Sequence, residues 1–399
     1  MSGGLVLYDD ARARAFEPFA LTRPAGELRA GAELLRARWE RAAGTRATGF
    51  AGAAHLAEFA EFSAPKAVGG ALAAGTIVAN TRFAVALDAA LGAGHAWASD
   101  GRITAVRLRA PLDASSLASG SLDLTALATG EVADIRGWWL DDVWDLAGKL
   151  APMLTADISV LSRGVDDAPA HVAVLGEHGA HVERGAYVEP YVLMDTTEGP
   201  VLVRRGARIA AFTRLVGPCV IGEDAQVLGG KVKGSSIGEH SRVHGELSGT
   251  IFTGHSNKAH DGFVGNSVLG RWVNLGAGTI TSNLKNSYGE VSLWTPAGVQ
   301  ATGETFLGSF IGDHAKLGIG TRLTTGCVIG AGANVFGTAM PPKYVPPFAW
   351  GDAPPYAEFE LAKFLEVAER VMARRGVALD DGARRTLAAA WARRGEHPR

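Results

Sequence analysis

Aliphatic residues recur at every sixth position through two stretches in the second half of the chain. The first run consists of Val203, Ile209, Leu215, Ile221 and Val227, and the second of Ile311, Leu317, Leu323, Ile329 and Val335. A period of six fits neither an α-helix nor the simple alternation of one strand, and it is typical of hexapeptide β-helices. We therefore predict a left-handed parallel β-helix over residues 171–339, with roughly eight or nine coils of about 18 residues each.

The pattern is interrupted once and ends before the C-terminus. Residues 281–303 (TSNLKNSYGEVSLWTPAGVQATG) break the repeat, which predicts a loop that leaves the coil. Residues 340–399 begin with a proline-rich stretch, AMPPKYVPPFAWGDAPP, and continue with two helix-like segments, EFELAKFLEVAERVMARRG and DDGARRTLAAAWARRG. Because the last coil of a β-helix has an open strand edge, we expect these helices to form a C-terminal cap or to brace a neighbouring subunit.

The pattern of residues 1–160 differs and predicts an α/β domain. Short apolar runs predict strands at GGLVLYDD, TIVAN and ITAVRLRA. Helical spacing of leucines predicts a helix over Glu27–Trp39, and FAVALDAAL is also interpreted as a helix. The segment WWLDDVWDLAGKLAPML predicts a helix that links the two halves.

Composition and charge exclude several classes of partner. Lys and Arg number 39 against 41 Asp and Glu, without a basic block, so neither nucleic acid nor an anionic membrane is expected as a partner. No apolar run reaches the ~18 residues of a membrane span. The N-terminus lacks the features of a signal peptide, and Cys219 and Cys327 form no metal-binding pair, which predicts a cytoplasmic protein with reduced thiols. Cys327 is interpreted as a packing residue.

Polar residues crowd into one stretch of the repeat, SNKAHDGFVG. His260 is flanked by Lys258 and Asp261, and the next coil contains NLGAGTITSNLKN, with Asn274, Asn283 and Lys285. Residues about one coil apart stack on the same face, so we expect the imidazole to lie near this asparagine-rich stretch. A neutral imidazole is suited to accept a proton near pH 7, although a solvated surface histidine is an equally simple interpretation.

These motifs resemble the acetyltransferase half of the bifunctional family that makes UDP-N-acetylglucosamine. That family has a Lys-Ala-Gly-His element followed by Asn-Ile-Gly-Ala-Gly-Thr-Ile-Thr-Cys-Asn. Over nearly its full length, the chain is similar to a divergent bacterial branch described as sugar nucleotidyltransferases. The shared elements are TRPAGELRAG (22–31), NKAHDGF (257–263), GDHAK (312–316) and PPKYVPPFAWG (341–351).

The resemblance implies an acetyl-CoA-dependent N-acetyltransferase that acts on an amino-sugar phosphate as a homotrimer. It implies that His260 is the general base, that Ala277, Asn283 and Ser309 contact acetyl-CoA, and that Asn274 contacts the sugar. Lys258, Asp261 and Lys285 are further substrate-binding candidates. The family has tyrosines where this chain has Phe263 and Leu284, and paired lysines where it reads GELSGTIF, so Lys231 and Lys233 are candidates to replace the phosphate ligands.

The first domain resembles sugar-nucleotide pyrophosphorylases, which implies a nucleoside triphosphate as a partner. The segment LYDDARARAFEPFALTRPAGELRAG has the strand and the proline spacing of their phosphate loop, but it lacks the loop's glycines. Ala25 stands where that family has a lysine. Asp10, Arg23 and Arg29 are the nucleotide-binding candidates, and Asp141 in WWLDD is a candidate ligand for Mg2+.

Two other functions remain open at this point. His255 and His260 have the spacing seen in prism-shaped carbonic anhydrases, and His314 could supply a third zinc ligand in a trimeric metal-dependent hydratase. A non-catalytic scaffold that binds nucleotide sugars is the other alternative, and the missing glycine loop favours it for the first domain alone.

Overall fold

The structure, a computed structural model, describes residues 3–398. The chain divides into two compact units, which are described separately. The first unit comprises Met1–Val143 and Leu379–Ala392, and the second comprises Trp144–Ala378 and Arg393–Arg399. Within the described residues, none of the helices combines the length and the apolar composition that crossing a membrane requires.

The first unit is an α/β domain built on a mixed six-stranded sheet. Its strands are β1 (Leu5–Tyr8), β2 (Arg29–Ala30), β3 (Glu33–Leu34), β4 (Ala47–Ala51), β5 (Ala71–Leu72), β6 (Ile77–Asn80), β7 (Phe83–Val85), β8 (Ala96–Ser99), β9 (Arg102–Arg107), β10 (Leu112–Asp113), β11 (Val132–Asp134) and β12 (Gly137–Trp139). Its helices are α1 (Leu35–Ala43) and the C-terminal α5 (Asp381–Ala392). The sheet order is β11-β8-β9-β6-β1-β4, in which β1 pairs in parallel with both β4 and β6, and β9 is antiparallel to its neighbours.

Two of the predicted helices in this unit are wrong in part or in whole. In place of a helix over Glu27–Trp39, the chain forms the short β2–β3 hairpin and enters α1 only at Leu35. FAVALDAAL is not helical: Phe83–Val85 forms β7, which pairs antiparallel with β12. The Phe83 and Trp139 rings lie 5.3 Å apart in this pair, so tertiary packing overrides the helical pattern. The predicted linking helix likewise begins as strand β12.

The second unit is a parallel β-helix that follows two short helices, α2 (Asp145–Gly148) and α3 (Leu150–Leu161). Its first strands are β13 (Ala173–Leu175), β14 (Ala180–Val182), β15 (Tyr187–Val188), β16 (Leu193–Asp195), β17 (Val201–Val203), β18 (Arg208–Ile209), β19 (Thr213–Val216), β20 (Cys219–Ile221), β21 (Gln226–Val227), β22 (Gly230–Lys233), β23 (Ser236–Ile237), β24 (Arg242–Val243), β25 (Glu246–Ser248), β26 (Ile251–Gly254), β27 (Asn257–Lys258) and β28 (Phe263–Gly265). The remaining strands are β29 (Val268–Arg271), β30 (Asn274–Leu275), β31 (Ile280–Thr281), β32 (Ser292–Thr295), β33 (Gly298–Ala301), β34 (Phe310–Ile311), β35 (Lys316–Leu317), β36 (Arg322–Leu323), β37 (Val328–Ile329), β38 (Asn334–Val335), β39 (Tyr344–Val345), β40 (Ala349–Gly351) and β41 (Ala357–Glu358).

Within the described residues, eight coils contribute one strand to each of three faces, and the last coil contributes only β39 and β40, to the second and third faces. The first face runs β13-β16-β19-β22-β25-β28 and is followed by the β31–β36 pair; the second runs β14-β17-β20-β23-β26-β29-β34-β37-β39. The third face runs β15-β18-β21-β24-β27-β30-β35-β38-β40, and β41 is added antiparallel. The aliphatic residues of the six-residue repeat point inward and form one continuous core, as the sequence predicts. The predicted fold class is confirmed.

The interruption leaves the coil, whereas the start of the C-terminal segment continues it. After β31, the chain forms the antiparallel β32–β33 hairpin before it returns at β34, as the broken repeat predicts. The proline-rich stretch supplies β39 and β40, which pair in parallel with the preceding coil and therefore extend the β-helix. Helix α4 (Leu361–Ala373) follows and buries Phe364, Ala368 and Met372.

The predicted domain limits of 1–160, 171–339 and 340–399 stay a prediction, and the compact units differ from them in two respects. The first unit ends at Val143, because α2 and α3 belong to the second unit. Helix α5 belongs to the first unit, where Arg385 pairs with Glu58 at 3.1 Å.

Candidate active site

His260 lies at the corner between the third and the first face, and its side chain is exposed. The register of the flanking strands, in which Asn257 pairs with Asn274 and Asn274 with Lys316, places His260 in one column with Ala277 and Ile319 of the following coils. The Gly278 N–H donates to the Asp261 carbonyl at 3.1 Å and fixes this stacking. The imidazole therefore has the exposed methyl group of Ala277 as its neighbour on the next coil.

The corner that carries His260 stands above two shortened corners. In the His260 coil, the inward residues on either side of the corner, Lys258 and Val264, are six positions apart. In the coil below, the corresponding residues Val243 and Leu247 are only four positions apart. One coil further down, the corresponding residues Val227 and Val232 are five positions apart. Because fewer residues cross these two corners, the wall is recessed beneath His260 and forms a notch.

His244 occupies this notch. Its Nδ1 lies 3.1 Å from Oδ1 of Asp261, and its side chain is 28% exposed. Gly229 lies next to the ring, and a Cβ added there would lie 3.1 Å from Nε2 of His244. The imidazole of His244 therefore lies against the carboxylate of Asp261 at the corner that also carries His260, and no motif in the sequence points to His244.

Lys258 points into the core instead of toward a substrate. It occupies the inward position that Val243 holds one coil earlier and Leu275 one coil later, and it is fully buried. Its ammonium donates to the carbonyl of His260 and, at 2.8 Å, to the carbonyl of Asp261. Burial lowers the pKa of Lys258 to about 8. This lysine fastens the corner that presents His260.

The asparagines of the NLGAGTITSNLKN segment lie at two different places. Asn274 is on the third face, where its Oδ1 accepts a hydrogen bond from Asn257 at 2.9 Å. Asn283 lies beyond the first face, where it donates to Asn266 at 2.7 Å. Within one chain, Ala277 is therefore the member of this segment that stacks next to His260, while Asn274 and Asn283 belong to separate ladders.

The remaining candidates for the acetyl-transfer site already have partners in the chain or are buried. Lys231 and Lys233 are on the first face and pair with Glu246 at 3.5 Å and with Glu198 at 2.7 Å. Lys285 donates to the carbonyl of Glu290 within the loop that leaves the coil. Ser309 is fully buried, and its N–H donates to the hydroxyl of Ser267 at 2.9 Å.

The other histidines of the zinc alternative stack on the corner between the second and the third face. His255 lies between His240 and Trp272, with ring centroids 4.7 and 4.6 Å away, and His314 follows Trp272 at 6.2 Å. The guanidinium of Arg271 is 3.2 Å from Nδ1 of His255, an arrangement that opposes a metal cation. Residues 3–398 contain no cluster of three or more His, Cys, Asp or Glu side chains that could hold a metal ion.

In the first unit, Arg82 lies between Asp10, the candidate for nucleotide binding, and Asp141, the candidate Mg2+ ligand. Asp10 accepts two hydrogen bonds from Arg82, each at 2.8 Å, and Nη1 of Arg82 is 3.2 Å from Asp141. Arg102 and Arg12 also pair with Asp141, at 2.6 and 3.5 Å. These cations lower the pKa of Asp141, through its hydrogen bond to Arg102 above all. Three guanidinium groups on one carboxylate do not fit a Mg2+ site.

The loop after β1 is packed and does not form an open cradle. Phe16 and Phe19 are buried in it, and Asp9 accepts hydrogen bonds from Thr81 at 2.7 Å and from the Ala25 N–H at 3.0 Å. Burial raises the pKa of Asp9 to about 6. Arg23 is buried and forms an ion pair with Glu61 at 2.7 Å, and Arg29 is buried and donates a hydrogen bond to the carbonyl of Ala32 at 2.5 Å. Both arginines thus brace the loop internally.

Two comparisons with known sequences extend this description. Residues 5–166 match the family model described as sugar nucleotidyl transferase. The chain is 27% identical over 218 residues to a bifunctional sugar-1-phosphate nucleotidylyltransferase/acetyltransferase of Sulfurisphaera tokodaii, covering 53% of this chain and 48% of that protein. It is 26% identical over 245 residues to the bifunctional protein GlmU of Aromatoleum aromaticum, covering 53% and 50%. The chain thus spans about half the length of the curated relatives it matches.

A comparison with solved structures finds a hexapeptide transferase family protein from Anaplasma phagocytophilum. It covers 52% of this chain and 99% of that chain, with 16% identity and a TM-score of 0.28. The predicted resemblance to the bifunctional family is confirmed by the sequence relatives, and their names and the family model agree with the predicted transferase class. The activity of this chain itself is a proposal.

Proposed function

We propose that the β-helix is an acetyl-CoA-dependent N-acetyltransferase that acts on an amino-sugar phosphate of the glucosamine-1-phosphate type, in the synthesis of a nucleotide sugar. The observation that carries this proposal is the corner at which the exposed His260 stacks on Ala277 above the notch. The acetyltransferase named among the relatives supports the same chemistry.

His260 serves as the general base. The sugar amine forms a bond to the thioester carbonyl carbon, an imidazole nitrogen of His260 accepts the amine proton, and the carbon–sulfur bond breaks. The imidazolium then returns a proton to the departing thiolate, so that protons balance over the turnover. General base catalysis of this kind contributes typically 10²–10⁴-fold to the rate.

The surroundings of His260 fit the thioester arm of coenzyme A. Ala277 and Gly278 are exposed on the next coil, and Ile280 and Ile319 expose 40% and 78% of their surface beside them. Such contiguous exposed apolar side chains are typical of a ligand groove or a subunit contact. We therefore propose a homotrimer in which a neighbouring chain completes this groove, with contributions from Asn274, Asn283 or Lys285. A cytoplasmic location stays a prediction.

For the first unit we propose that nucleotides are not transferred by a Mg2+-dependent route. Arg82 holds Asp10 and Asp141 together, and the loop after β1 is filled by its own side chains. This observation favours a binding or bracing role, related to the scaffold alternative. The test is pyrophosphate release from UTP plus a hexosamine phosphate, for which we expect no release above background with or without Mg2+.

The acetyltransferase proposal is tested by acetyl-CoA consumption across a panel of amino-sugar phosphates. We expect His260→Ala to lower kcat at least about 100-fold while the oligomeric state and the thermal midpoint stay those of the wild type. His178→Ala is the matched control, because His178 is an exposed histidine at the start of the β-helix. A His260→Ala rate near that of the wild type would remove His260 from the mechanism.

A further inference from the structure

A cavity of about 410 Å3 lies between the third face of the β-helix and the C-terminal end of helix α4. It is apart from the His260 corner, which does not line it. Arg242, Asn257, Asn274 and Lys316 line it from the β-helix, and Arg374 and Arg375 line it from the residues that follow α4. Val367 and Val371 of the helix close one side.

The charge of this cavity is one-sided. Three of its lining side chains are arginines (Arg242, Arg374 and Arg375), a fourth is Lys316, and no carboxylate lines it among the described residues. Within the described part of the chain, the guanidinium groups of Arg242 and Arg374 take part in no ion pair. Nη1 of Arg375 donates to the carbonyl of His240 at 3.4 Å, a neutral partner that leaves its charge uncompensated.

The close approach of these like charges is unfavourable unless an anion compensates them. Burial lowers the pKa of Arg375, and the positive charges of Arg242 and Arg374 lower it further. Burial also lowers the pKa of Lys316 to about 7, although its ammonium is held by the carbonyls of Trp272 and His314 at 2.6 and 2.8 Å. The favourable position of arginines at a helix C-terminus explains Arg374 and Arg375 in part, but it does not explain why Arg242 converges on them from the coil.

The same three arginines also line a second, adjoining cavity of about 600 Å3 on the third face. That cavity adds Arg208 and Gln226, and its single lining carboxylate among the described residues, Asp224, lies 3.8 Å from His240. The arginines therefore stand at the junction of two spaces. A group with several anionic oxygens at this junction would meet the forked donors of three guanidinium groups.

We propose that this junction is a binding site for a phosphorylated small molecule, whose phosphate or diphosphate group lies among Arg242, Arg374 and Arg375. The amide pair of Asn257 and Asn274 offers hydrogen bonds to the rest of the ligand on the side of the smaller cavity. Within one chain, His260 lines neither of the two cavities.

The test is isothermal titration of the full-length protein with inorganic pyrophosphate at low ionic strength. We expect saturable binding that weakens as sodium chloride is added, because salt screens the attraction. We expect the dissociation constant to rise about tenfold or more in each of the variants Arg242→Gln, Arg374→Gln and Arg375→Gln, since each removes a charge-assisted hydrogen bond. The exposed Arg374 gives a variant whose folding is least at risk.

Arg370→Gln is the matched control on the same helix. Arg370 pairs with Glu366 on the outside of α4 and does not line the cavity, so we expect its dissociation constant to stay within twofold of the wild type. His260→Ala should bind pyrophosphate like the wild type, because His260 lines neither cavity. The proposal is overturned if the wild type shows no saturable binding, or if the three cavity variants bind like Arg370→Gln.

Discussion

Replacement of Lys258 by methionine probes how the corner of His260 is built. Lys258 is fully buried at an inward position of the β-helix core, between Val243 and Leu275 in the same column. Methionine has a similar length, fills the same space and removes the charge together with its hydrogen bonds to the carbonyls of His260 and Asp261.

The pKa of Lys258 sets the magnitude and the sign of the effect. The gap between about 8 in the folded protein and an ordinary 10.5 corresponds to about 3 kcal/mol, at about 1.4 kcal/mol per pH unit. Between these values the unfolded chain holds a proton that the folded chain has released. Stability of the wild type therefore rises with pH through this window, and the cost of the buried charge is fully present below pH 8.

The measurement is the free energy of unfolding in urea at fixed protein concentration, for the wild type and Lys258→Met, at intervals from pH 7 to pH 10. We expect the wild type to gain about 2.5 kcal/mol relative to Lys258→Met across this range. Leu275→Met is the control, because it places methionine in the same column without removing a charge, and it should follow the wild-type pH dependence. Parallel profiles for the wild type and Lys258→Met would refute the assignment of a buried, charge-bearing lysine at this corner.

Three further predictions concern the notch, the acetyl groove and the first unit. His244→Gln should lower kcat/KM about tenfold or less, because it loosens Asp261 without removing the base; a loss as large as that of His260→Ala in the same assay would make His244 the base instead. Ala277→Leu should raise the KM for acetyl-CoA about tenfold with little change in thermal midpoint, because the added side chain fills the exposed position next to His260; an unchanged KM would place the coenzyme elsewhere. Arg82→Met should lower the free energy of unfolding in urea at pH 7 by about 3 kcal/mol, because it leaves Asp10 and Asp141 without the cation between them. An unchanged free energy of unfolding would mean that Arg82 does not hold these two carboxylates.

The sequence predicts the β-helix well because its signal is local and repeated. Each inward aliphatic residue stands six positions from the next, so the core columns can be read directly. The spacing of the inward residues also indicates the notch, because Val227 and Val232 are five positions apart and Val243 and Leu247 are four, instead of six. The same spacing places Lys258 at an inward position. The polarity of Lys258 taken alone predicts a substrate ligand, whereas its place in the repeat predicts an inward side chain.

Other features depend on contacts between distant parts of the chain. Arg82 lies 59 residues from Asp141, and no local pattern indicates that it bridges this carboxylate to Asp10. Strand β7 forms against β12 because Phe83 packs on Trp139, against its own helical pattern. The arginine junction joins Arg242 of one coil to residues that follow α4, so no local spacing points to it.

The most direct test of the account is a crystal structure of the protein with coenzyme A and glucosamine 1-phosphate bound. The account predicts that the sulfur of coenzyme A and the sugar amine lie at the corner of His260 and Ala277, with the amine nitrogen about 3 Å from an imidazole nitrogen of His260. Coenzyme A bound on a different face, with His260 of every chain open to solvent, would contradict it.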